Sequence, residues 1–85
     1  MTIIPLGTKE TPNVAASNIS EASHVYICNT STSAAGQVTL QTSGGVTIGT
    51  FDVPAFGHID VKKKNTEKIL TSAATLTCTR VGFSN

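Results

Sequence analysis

A chain of 85 residues forms one domain, since what a first core leaves over cannot build a second. Its charged share is 13% against 39% hydrophobic, with a formal charge of +1. That balance excludes a disordered tail, and it gives no long-range field for gathering nucleic acid or an acidic membrane surface. A core this small is marginal alone, so a homo-oligomer is expected from size. Threonine and serine provide much of the polar character, which suits pleated strands and turns better than helix exteriors.

In chain order, residues 1–20 hold Pro5, Gly7 and Pro12 among isolated apolar positions, with neither helical nor strand periodicity. They read as an extended N-terminal arm ahead of a β-sandwich domain over 21–85. Ile3, Ile4, Pro5 and Leu6 at its tip are candidate partner-binding residues, because isoleucines beside a proline need an apolar cover. The alternative is that the arm folds back as an extra edge strand. The N-terminus has no basic stretch followed by an apolar run, and no segment is long enough to span a membrane, so a soluble product made inside the cell is expected.

Ser23–Asn29 is a β-branched and aromatic strand, with Val25 and Ile27 on one face and His24, Tyr26 and Cys28 on the other. Both faces are partly apolar, which places it centrally in a sheet. Gln37–Val53 reads as a hairpin about Ser43-Gly44-Gly45, with Leu40 opposite Ile48, Thr42 opposite Val46 and a bulge past Gly49. His58–Lys62 alternates with Ile59 and Val61 inward. Thr66–Leu70 is expected to cross the end of a sheet. Ala74–Phe83 is the last strand, with Leu76 and Cys78 facing one way, Val81 and Phe83 the other, and an irregularity near Thr79 and Arg80. The fold class is therefore all-β, a small antiparallel sandwich or barrel of about five to seven strands.

His24, Cys28, His58 and Cys78 are the soft metal ligands, but only the first two are close in sequence, and they share one strand rather than a knuckle. No metal or cofactor is expected. Cys28 and Cys78 are read as reduced and buried, since thiols stay reduced in the cytosol. His58, Asp60 and Asp52 lack a nucleophile elbow, a phosphate loop or a paired acidic motif around them, so no enzyme is expected. Lys62, Lys63 and Lys64 form a basic turn suited to an acidic partner surface and are further candidate partner-binding residues; there are too few aromatics for nucleic acid. Asn18-Ile19-Ser20 and Asn29-Thr30-Ser31 match the glycosylation pattern, read as coincidence in a chain with no secretory leader.

Ile3-Ile4-Pro5, Glu10-Thr11-Pro12-Asn13, Val25-Tyr26-Ile27 ending in Asn29-Thr30, Val46-Thr47-Ile48-Gly49-Thr50, and Val61-Lys62-Lys63 with its Thr66-Glu67 turn resemble small structural proteins of tailed bacteriophages, marine and cyanobacterial ones in particular. The resemblance spans nearly the whole chain and rests on strand and turn patterns that carry no chemistry. It implies a virion component made in the host cytoplasm, a capsid decoration subunit or a small tail or fibre protein. Its partners would be the major capsid protein or other virion proteins. A glycan-binding adhesin module is the rival reading.

Overall fold

The computed structural model describes residues 2–84, with the side chains of Thr2, Phe83 and Ser84 outside the description. Seven strands follow one another: β1 (Thr2–Pro5), β2 (His24–Asn29), β3 (Gly36–Gln41), β4 (Thr47–Val53), β5 (His58–Lys62), β6 (Lys68–Thr71) and β7 (Leu76–Ser84). They form two antiparallel sheets, β1-β7-β2-β5 and β4-β3-β6, an open sandwich rather than a closed barrel.

Alternation explains the core. Val25 and Ile27 from β2, Leu76 and Cys78 from β7, Val38 from β3, Val53 from β4 and Ile69 from β6 are all buried between the sheets. β2 lies centrally, between β7 and β5, as both of its faces require. Asn29 ends it as a buried polar tie. Its Nδ2 donates to the carbonyls of Val53 (2.9 Å) and Ala34 (3.0 Å), and its Oδ1 accepts from the Ser31 amide, so one side chain joins the two sheets with nothing unsatisfied. Gly36 admits Leu76 so closely that a Cβ there would collide with its Cδ1.

Three expectations change. Thr66–Leu70 does not cross a sheet end; residues from Lys68 onward form β6, because Ile69 finds its place in the core when the segment pairs with β3. In the hairpin Thr42 does face Val46, but Leu40 faces Gly49 and the extra residue is Ile48, not one past Gly49. The bulge turns the expected apolar face outward, leaving Val46 67% and Ile48 51% exposed. Finally, β7 keeps an unbroken register through Thr79 and Arg80. Simple alternation already puts Leu76 and Cys78 inside and Val81 on the opposite face, where it is buried apart from the core cluster. The direction expected for Phe83 falls outside the described side chains.

The N-terminal segment is extended but belongs to the sandwich. β1 pairs with the outer edge of β7, Glu10 exchanges both backbone bonds with Cys78 (2.7 Å each), and the chain then crosses to the other sheet. There Pro12 accepts from the Thr71 amide and Ser17 exchanges both bonds with Ile69. Ile19 is fully buried in the core cluster, so a boundary at residue 20 cuts through the core. The side chain is held there by an unusual backbone: Ile19, Ser20 and Glu21 all lie in the left-handed region, at φ 54, 57 and 58°. For a β-branched residue that conformation costs about 1–2 kcal/mol, offset by the burial of the isoleucine.

Candidate functional site

β2 and β5 bring the chemically active side chains together on the outer face of the four-stranded sheet. Their register sets Cys28 opposite His58, Tyr26 opposite Asp60 and His24 opposite Lys62, and β7 adds Thr77 and Thr79 beside Cys28 and Tyr26. The Tyr26 and His58 rings stack diagonally with centroids 5.6 Å apart and planes 29° from parallel. Tyr26 is half-buried, while His58 and Asp60 are exposed. The result is a flat aromatic step with a carboxylate beside it, able to stack against a ring and accept hydrogen bonds from its hydroxyls.

The two cysteines part company. Cys78 is buried on the inner face, where desolvation, helped by the Glu10 carboxylate, pushes its thiol up to about 12. Cys28 is half-buried on the outer face rather than fully buried as expected. They point to opposite sides of one sheet, so no bond joins them within the chain. The same geometry separates Cys78 from His24, Cys28 and His58, and among the described residues no group of three or more His, Cys, Asp or Glu could hold a metal ion. Asn29 is buried and committed through its Nδ2, which leaves its glycosylation pattern without chemical meaning.

The residues expected to bind partners do not form one surface. Ile3, Ile4, Pro5 and Leu6 lie at the β1 edge of the four-stranded sheet, whereas Lys62, Lys63 and Lys64 end β5 at the opposite edge. Ile4 and Leu6 are 42% and 52% exposed and Ile3 half-buried. The lysine triplet is split. Lys62 and Lys64 are exposed, but Lys63 is buried, with Nζ donating to the carbonyls of Ala22 (2.6 Å) and Lys64 (3.3 Å). Desolvation lowers its pKa, against the nearby Glu67 carboxylate, which raises it. Lys63 therefore ties β5 to the end of the N-terminal segment and is not available to a partner.

Sequence reasoning missed two features. The Tyr26–His58–Asp60 group depends on the register of β2 against β5, which periodicity cannot supply, although both alternating faces were readable. Phe56 is 71% exposed at φ 60° in the turn between β4 and β5, a position where a glycine is ordinary and a phenylalanine is strained. No family model, curated protein or solved structure matches the chain. The phage resemblance thus rests on the motifs quoted for it.

Proposed function

We propose that the chain is a non-enzymatic virion structural protein, a capsid decoration subunit that docks on a symmetric shell formed by the major capsid protein or other virion proteins. The observation that carries this reading is the placement of apolar side chains at exposed sheet margins. Ile4 and Leu6 at one edge, Ile59 at the other and Ile48 on β4 suit contacts with neighbouring subunits of a repeating lattice. The near-neutral charge supports it as well, since copies crowded on a shell repel little. Proteomics of purified particles tests the proposal: the chain is expected as a stoichiometric component, and its absence from particles overturns the reading.

A glycan-binding module is the second reading, favoured by the stacked Tyr26–His58 pair with Asp60 alongside. Saturable binding on a glycan array that disappears in Tyr26→Ala, with the fold retained, would promote it over the first.

A further inference from the structure

We propose that β5 pairs with β5 of a second copy of this chain, about a two-fold axis through Ile59, to join two four-stranded sheets into one. The argument begins with the hydrogen-bond phase. The Asn29 amide donates to Gly57 and the Lys63 amide donates to Ser23, so odd-numbered residues of β5 turn their backbone groups toward β2. The alternating antiparallel pattern then aims the N–H and C=O of His58, Asp60 and Lys62 at the outer edge, where no strand follows among the described residues.

The other margins are guarded. β1 is four residues long and ends in a proline, β4 is bulged at Ile48, and β6 is covered by Pro12 and Ser17. β5 is regular, free of proline and unpaired along its whole outer edge, and its Ile59 is 40% exposed although it alternates toward the core side.

Charge and the cover of Ile59 together select the register. Only pairings that set even residues opposite even residues match the outward groups and keep the faces aligned. Centring on Asp60 sets two carboxylates together and His58 beside Lys62. Centring on Val61 sets Asp60 opposite Lys62 but leaves both exposed isoleucines uncovered, each facing Lys63, whose side chain turns into the fold. Centring on Ile59 places each His58 opposite the Asp60 of the second copy, so that both pairs exchange their backbone bonds, and it covers the two isoleucines with each other. Like charges directly opposite are destabilising, which removes the Asp60-centred register, and of the others only the Ile59-centred one covers both isoleucines, so this register wins. So short a ladder is smaller than a standard interface, and the dimer is a reversible one that forms as concentration rises. The inference does not depend on the virion reading, since a chain absent from particles can still pair with itself.

Sedimentation velocity and backbone NMR of the whole chain across a concentration series test it. The expected result is a monomer–dimer equilibrium with concentration-dependent shifts falling on the amides of residues 57–61. Ile59→Lys and His58→Glu should each raise the dissociation constant at least about tenfold, because each substitution enters the dimer twice, while Lys62→Glu leaves it unchanged. Circular dichroism confirms that each variant stays folded. A chain that stays monomeric at millimolar concentration, shifts that fall elsewhere, or a dimer that Lys62→Glu weakens and His58→Glu does not would each overturn the proposal.

Discussion

The two sides of the sandwich treat their edges in opposite ways. On the β6–β7 side the N-terminal segment saturates both sheets: β1 and Glu10 pair with β7, and Pro12 and Ser17 with β6, while Ile19 plugs the core between them. On the β4–β5 side no strand among the described residues covers the margins, and Ile48, Phe56 and Ile59 stay exposed. A small domain with too little core to spare thus spends its extended segment on one flank, where Ile4 and Leu6 remain exposed only at the β1 margin, and leaves both sheet edges of the other flank bare.

Truncating an isoleucine on each side gives the sharpest contrast. Ile19→Ala should destabilise the fold by about 2–5 kcal/mol in chemical denaturation, the usual loss for a fully buried isoleucine, whereas Ile59→Ala at dilute concentration should cost about 1 kcal/mol or less. Comparable losses at the two positions would break the distinction between sealed and open flanks. Asn29→Ala, which leaves the Val53 and Ala34 carbonyls without their donor, should cost about 1–3 kcal/mol by the same measurement.

Alkaline titration sharpens the contrast within the sealed side. Cys78 keeps its proton in the fold after the unfolded thiol has lost it, so stability falls as pH rises from its ordinary 9.0 toward about 12, by up to about 1.4 kcal/mol per pH unit. Lys63 acts in the other sense. Its folded pKa lies below the ordinary 10.5, so the unfolded state binds more protons and this residue's contribution rises with pH until 10.5 is passed. Cys78→Val should flatten the fall, and Lys63→Met should steepen it; a Cys78→Val profile like the unmodified one would show that the thiol is not enclosed by Glu10 and β7. The smallest effect belongs to the strained link between sheets. Ser20→Gly should stabilise by about 0.5–1 kcal/mol, since glycine relieves the left-handed backbone more than it loosens the unfolded chain.

Strands with strong alternation were legible in the sequence: Val25 and Ile27 against Tyr26 and Cys28, and Leu76 with Cys78, lie where period-two patterning puts them. What stayed hidden were features set by pairing. Lys68–Thr71 is a strand only because β3 offers a partner, and the N-terminal segment shows no period because its bonds skip from β7 to β6 around Gly7 and Pro12. Lys63 read as one of three solvated lysines, since nothing local marks the Ala22 carbonyl that takes its ammonium. The outer-face group of Tyr26, His58 and Asp60 was half readable: each strand displayed its own face, but their meeting needed the register of two segments some thirty residues apart.

Residue-resolved hydrogen exchange at low and high protein concentration tests the difference between the flanks most directly. The amides of Ile69, Thr71 and Cys78, which donate to Ser17, Pro12 and Glu10, should be protected at every concentration. Those of His58 and Asp60 should exchange rapidly when the chain is dilute and slow as it is concentrated. Fast exchange at Ile69 and Cys78, or protection at His58 and Asp60 that is already complete in dilute solution, would contradict the account.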